Sequence, residues 1–121
     1  MSGQLPLKGL RVLDLASFIA GPAATTVMGD YGAEVIKIEP PGKGDPLRKW
    51  RLLKDGNSIW WEVQSRNKQS VTLDLTKTEG QDILRTLVKE ADVLIENFRP
   101  GKMEEWGLGY ADLKKINPKL V

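Results

Sequence analysis

With no histidine and no cysteine in the chain, the side chains able to move protons or form covalent bonds near neutral pH reduce to carboxylates, lysines and tyrosines. That composition excludes a thiol nucleophile and a cysteine-ligated metal. Among the acids, Glu39 ends an apolar run one helix after the glycine turn Ala20-Gly21-Pro22-Ala23, where a ribose-binding acid would sit in a dinucleotide site. The turn argues against that chemistry. It holds one glycine of the three needed for close pyrophosphate approach, and Pro22 removes a backbone donor. Glu39 is therefore expected to be a solvated strand end, and Glu104-Glu105 and Asp30 with Glu34 are expected on exposed faces. Arg48, Lys49, Arg51 and Lys54 gather in the Gly- and Pro-punctuated stretch Gly42 to Asn57, read either as a solvated charged loop or as a clamp for phosphate. Trp60, Trp61 and Trp106 fit core or interface anchors better than base-stacking platforms, since no basic stripe runs beside them. There is no P-loop lysine, nucleophile elbow or helical metal-ligand pair.

Eighteen basic against sixteen acidic residues leave a net charge of +2, which makes no case for nucleic acid or an anionic membrane as partner. No apolar run reaches membrane-spanning length, and the start MSGQLPLKG lacks the layout of a signal peptide. A cytoplasmic location is expected, in keeping with the lack of cysteine. At 121 residues one domain with a real core is expected.

The candidates need elements to hold them. Val12, Leu13 and Leu15 read as a parallel strand buried on both faces. Gly21-Pro22 predicts a helix start, with Pro22 at the first position and Ala20, Ala23, Ala24, Val27, Met28 and Tyr31 as the apolar face, closed by Gly32. Val35, Ile36 and Ile38 form a second buried strand, stopped by Pro40-Pro41-Gly42. Ser58 to Gln64 is read as a short helix capped by Asn57 or Ser58, and Ser70 to Leu75 as a half-buried strand near a sheet edge. Thr76 with Glu79 has the form of a capping box opening a helix whose buried stripe is Ile83, Leu84, Leu87, Val88 and Ala91. Asp92 to Phe98 is expected as a further parallel strand inside the sheet, followed by a helical turn at 102–106, a helix at 110–116 and a strand opening at Lys119, which further chain is expected to continue. The lead-in, residues 1 to 9, is expected to be partly ordered at best. Such βα units leave a crevice at the carboxyl ends of their strands, where ligands of α/β sheets bind.

Taken together, KGLRVLDLASFIAGP, MGDYGAEVIKIEPPGKGDPLR, NKQSVTLDL, ADVLIENFRPG and WGLGY resemble, in order from about Leu7 to Val121, the amino-terminal part of the family III CoA-transferases. That group contains formyl-CoA transferase and L-carnitine CoA-transferase, with α-methylacyl-CoA racemase as a relative. The resemblance implies an α/β, Rossmann-like large domain, a smaller domain from later sequence, and an interlocked homodimer. It implies CoA and acyl-CoA as substrate, a small carboxylic acid as acceptor, no metal, and an aspartate nucleophile beyond Val121 that forms mixed-anhydride and aspartyl-CoA intermediates. The racemase branch and a non-catalytic nucleotide-binding module are the alternatives. Carried over by position, the CoA-binding candidates are Ile19 and Ala20, Leu73, Asp74, Leu75 and Thr76, and Asn97, Phe98 and Arg99. Pro40 and Glu105 stand where formyl-CoA transferase has arginines, and Arg48, Lys49, Arg51 or Lys102 are the substitutes available for a phosphate.

Overall fold

Val12 and Leu13 have no exposed surface and Leu15 almost none, as expected for a strand with a layer on each side. In the computed structural model, which describes residues 3–121, this strand is β1 (Arg11–Asp14). There follow α1 (Ala20–Asp30), β2 (Glu34–Glu39), a 3-10 turn (Pro46–Lys49), a small antiparallel hairpin of β3 (Leu53–Lys54) and β4 (Asn57–Ser58), and α2 (Ile59–Gln64). The chain continues through β5 (Lys68–Thr72), α3 (Thr78–Val88), β6 (Val93–Ile95), α4 (Lys102–Glu105) and α5 (Tyr110–Ile116). The main sheet is parallel throughout, in the order β5-β2-β1-β6.

The two faces of that sheet differ in chemistry. Side chains alternate along a strand, so Leu13, Leu15, Ile36 and Ile38 share one face. There they join Leu84 and Val88 of α3, Met103 of α4 and Leu113 of α5 in the principal core. The opposite face is apolar only at its amino end, where Val12 and Val35 meet Ala33 and half-buried Met28 of α1. Toward the carboxyl ends it carries Asp14, Lys37 and Glu39, all buried. Asp14 pairs in register with Lys37, and Lys37 with Ser70.

This polar half-face explains why α1 departs from expectation. Its buried side chains are Pro22, Thr25 and Thr26, while Val27 and Tyr31 of the expected apolar stripe are 53% and 52% exposed. Thr25 Oγ1 donates to Asp14 Oδ2 at 2.6 Å and Thr26 Oγ1 to Gln64 O at 2.7 Å. Hydroxyls are what a charged sheet surface can accept as packing partners. The helix also starts earlier, at Ala20, which puts Gly21 inside its first turn, where an added Cβ would lie 2.3 Å from Ala16 Cβ. Gly32 closes the end of α1 at φ +101°.

The capping box is not formed. Thr76 N and Oγ1 donate to Asp74 Oδ1 instead, at 3.1 and 2.5 Å, and α3 begins at Thr78 behind Lys77. Ile83 is 49% exposed. Its expected place in the stripe falls to Gly80, which packs against the Asp74 backbone. β5 is an edge strand as expected but starts at Lys68, and Leu73 and Leu75 are buried beyond its end. β6 is shorter than expected and last in the strand order. On its outer side Leu94 N donates to Val121 O and Val121 N to Asp92 O, the alternation of a parallel ladder. The helices expected at 58–64, 102–106 and 110–116 are present as α2, α4 and α5, and Ser58 Oγ accepts from Trp61 N at 3.4 Å. The lead-in is better anchored than expected, since Leu7 N donates to Tyr31 O at 2.9 Å. Its first two residues, Met1 and Ser2, lie outside the described residues.

Candidate functional site

The carboxyl ends of the four strands open onto one cavity of about 130 Å³. The turn after β1 contributes Leu15, Ala16 and Ser17, and the end of β2 with the residue that follows contributes Lys37 through Pro40, joined by Asp45. Leu73 to Thr76, after β5, form another wall, and Phe98 with Trp106 completes it. The rings of Phe98 and Trp106 meet edge to face at 5.3 Å. The space suits one flat ring, being smaller than a whole-ligand pocket. It is extended by two open recesses. One, of about 710 Å³, shares Ser17, Pro40 and Asp45 and adds Lys43 and Lys49. The other, of about 570 Å³, shares Phe98 and adds Arg99 and Lys102. The result is a trough with an apolar slot at its centre and cations along its rim.

Leu73, Asp74, Leu75, Thr76 and Phe98 thus line the slot, and Arg99 lines the adjoining recess. Asn97 has a different task. Its side-chain amide donates to Ser17 O at 2.9 Å and accepts from Ser17 N at 2.8 Å, clasping the turn after β1 to the turn after β6. Ile19 and Ala20 form the entry to α1 and do not line the slot. Arg48 is held by Glu39: Nε reaches Oε2 and Nη2 reaches Oε1, both at 2.7 Å. Its guanidinium also lies 3.9 Å from the Trp61 ring centroid.

Glu39 is consequently neither solvated nor a free ribose acceptor. It is 3% exposed and takes further hydrogen bonds from Asp45 N and Ser70 Oγ, each at 2.7 Å. Burial pushes its carboxyl up, but Arg48, Ser70 and the Asp45 N–H together outweigh it and lower it from 4.5 to about 2. The contact closes over Gly44, at φ +66°, where an added Cβ would meet Glu39 Oε2 at 2.6 Å and Arg48 Cδ at 2.7 Å.

Beneath the turn after β1 lies a second set of charges. Lys37 Nζ donates to Ala16 O and stands 3.5 Å from Asp14 Oδ1 and 3.0 Å from Asp45 Oδ2. Lys68 Nζ reaches Asp14 Oδ2 at 3.0 Å and Pro22 O at 2.8 Å. All four side chains are at most 3% exposed. Burial lowers the Lys68 pKa, with Asp14 opposing it. Asp45 Oδ1 accepts from Phe18 N at 3.2 Å and Leu47 N at 2.8 Å. Its Oδ2 is charge-paired to Lys37 but has no hydrogen bond of good geometry. Sequence reasoning passed over this set. The available signal was Asp14 and Lys37 standing inside otherwise apolar strands, where an unpaired charge would be prohibitive and a partner is therefore implied. Directly above the set, Phe18 holds φ +64°, a sparsely populated conformation for an aromatic residue, and its ring meets Trp50 edge-on at 6.1 Å.

Among the described residues no group of three or more His, Cys, Asp or Glu side chains could hold a metal ion, and no helix is long and apolar enough to cross a membrane.

A family model for CoA-transferase family III matches residues 7–121. The chain is 52% identical over 117 residues to succinyl-CoA–D-citramalate CoA-transferase of Chloroflexus aurantiacus, covering 96% of this chain and 29% of that protein. It is 48% identical to the succinyl-CoA–L-malate CoA-transferase alpha subunit of the same organism, covering 98% of this chain and 28% of that one. A crystal structure of a CaiB/BaiF family protein from Brucella suis superposes with a TM-score of 0.90 at 41% identity, covering 98% of this chain and 32% of that chain. The chain therefore spans about three-tenths of the length of these relatives.

Proposed function

The chain belongs to CoA-transferase family III, and from that membership we propose that it supplies the nucleotide-binding trough of an enzyme moving CoA from an acyl-CoA thioester to an acceptor carboxylate. The observation that supports this most directly is the meeting of the turns after β1, β2, β5 and β6 around one slot rimmed by cations. CoA offers one flat apolar ring and three phosphates, and the trough offers one slot and separated lysines and arginines. In this reading the adenine enters between Leu73, Leu75 and the Phe98–Trp106 pair. Asp74 and Thr76 face the ribose, and the phosphates lie toward Lys43 and Lys49 or Arg99 and Lys102. The first-turn amides of α1, from Ile19 and Ala20 onward, favour negative charge nearby. Arg48, with two nitrogens already bonded to Glu39, acts here as support for the wall.

The nucleophile in this proposal is an aspartate outside residues 3–121. Its carboxylate attacks the thioester carbonyl, the C–S bond breaks, and CoA leaves as thiolate from a mixed anhydride. The thiolate then attacks the aspartyl carbonyl, releasing the donor acid and leaving an aspartyl-CoA thioester. An acceptor carboxylate reverses the two steps and departs with CoA. By analogy with the named relatives, the donor is succinyl-CoA and the acceptor a small dicarboxylic acid. The complete enzyme in this reading is a cytoplasmic, interlocked homodimer, and the 121 residues alone transfer no CoA.

The test is an amide NMR titration with CoA, 3′-phospho-ADP and NADH. CoA and 3′-phospho-ADP are expected to shift residues 15–20, 73–76 and 98–102. Shifts confined to the amino ends of the strands, or tighter binding of NADH than of CoA, would overturn the reading.

A further inference from the structure

The four buried charges below the turn after β1, of which Lys37 and Asp45 also border the slot, have no assigned role in the chemistry just described, and as stabilisers they are poor value. Replacing a buried ion pair by packed apolar groups is often neutral or favourable, and the same face carries Val12 and Val35 one rung away. An apolar filling cannot, however, hold backbone polar groups, and this set holds four on a single turn. Lys37 takes Ala16 O, Asp14 Oδ1 takes Ala16 N, Asp45 Oδ1 takes Phe18 N, and Lys68 takes Pro22 O. Between these anchors the chain is forced through Phe18 at φ +64°, a conformation that persists only where its surroundings over-determine it. Ala16 and Ser17, at the start of the same turn, line the slot.

We propose that Lys37 is a positioning residue for the ligand. Sitting between Asp14 and Asp45, it locks the Ala16–Pro22 turn in the shape that forms one wall of the slot and the entry to α1. It acts through backbone and touches no phosphate. This rests on the CoA-binding reading above, and the experiment separates the two.

Lys37→Met removes the ammonium at similar length but strands Asp45, so the charge-balanced pair Lys37→Met with Asp45→Asn is made beside it in case the single variant fails to fold. Val88→Ala, on the core-facing side of α3 with no exposed surface, serves as a destabilised control. CoA affinity is measured by calorimetry on folded protein, and hydrogen exchange is followed at the Phe18 amide. The double variant is expected to bind CoA about tenfold more weakly and to exchange the Phe18 amide faster, while Val88→Ala loses thermal stability and keeps the parent affinity. A folded double variant with CoA affinity within about twofold of the parent, or with unchanged exchange at Phe18, overturns the inference. If the parent itself does not bind CoA, the functional reading falls, and the exchange measurement alone decides whether Lys37 sets the turn.

Discussion

Glu39 illustrates how a single side chain's surroundings can invert its meaning. By its place in the sequence it is an acid at a strand end, expected to be solvated. In place it is buried, with both oxygens taken by Arg48, Ser70 and the Asp45 amide. Its carboxyl is lowered from 4.5 to about 2 in the folded protein, so the folded state favours the ionised form. That contribution is complete above the unfolded value near 4.5 and is lost as pH falls toward 2. Arg48 is 35% exposed, so after allowing for screening the effect is on the order of 2 kcal/mol. Urea unfolding of the parent should show stability falling across this window, and Glu39→Gln should flatten the fall while lowering stability at pH 7. A parent curve no steeper than that of Glu39→Gln would refute the assignment. Leu73 and Phe98, singled out by motif order alone, do line the slot. Asp14, Lys37, Asp45 and Lys68 were not legible in the sequence, since their partners come from separate strands and a loop, and only the parallel register brings them together.

Elements were legible where one periodic signal dominated and were misjudged where polar groups competed. The short helices at 58–64 and 110–116 stand as expected. The start of α3 does not, because Asp74 captures Thr76 before Glu79 can reach back. α1 shows the same competition on a larger scale: its apolar residues suggested one face, but Thr25 is buried against Asp14 of the charged half of the sheet and Thr26 against Gln64 of α2. Gly21 separates two opposing forces within this element. Helix propensity alone would make Gly21→Ala stabilising by about 1 kcal/mol. The added methyl, however, would sit 2.3 Å from Ala16 Cβ and 3.2 Å from Ile95 Cγ2, pushing the amino end of α1 off β1. Overpacking of this kind costs about 1–3 kcal/mol. Gly21→Ala is therefore expected to lower the thermal midpoint and weaken CoA binding, as read by calorimetry. A midpoint at or above the parent's would show that the helix start can shift at little cost.

At the scale of the molecule, the parallel architecture and the presence of a crevice at the strands' carboxyl ends were both legible, because short apolar runs separated by helical patterns admit few other arrangements. What the pattern left hidden was the division of labour between the faces. One face is a continuous apolar core carrying α3, α4 and α5. The other ends in a floor of two aspartates and two lysines whose charges cancel. The uncompensated cations nearest the opening are Lys43, Lys49 and Arg99, all exposed. A polyanion drifting in from solution feels these rim charges, while the floor contributes little field at a distance. Added electrolyte screens exposed groups over a Debye length of about 10 Å at 0.1 M and hardly reaches buried ones. Stopped-flow capture of CoA should accordingly slow severalfold as sodium chloride is raised, with the melting midpoint nearly unmoved; parallel declines would contradict this. Docking and cohesion in this molecule thus answer to different properties of the solvent.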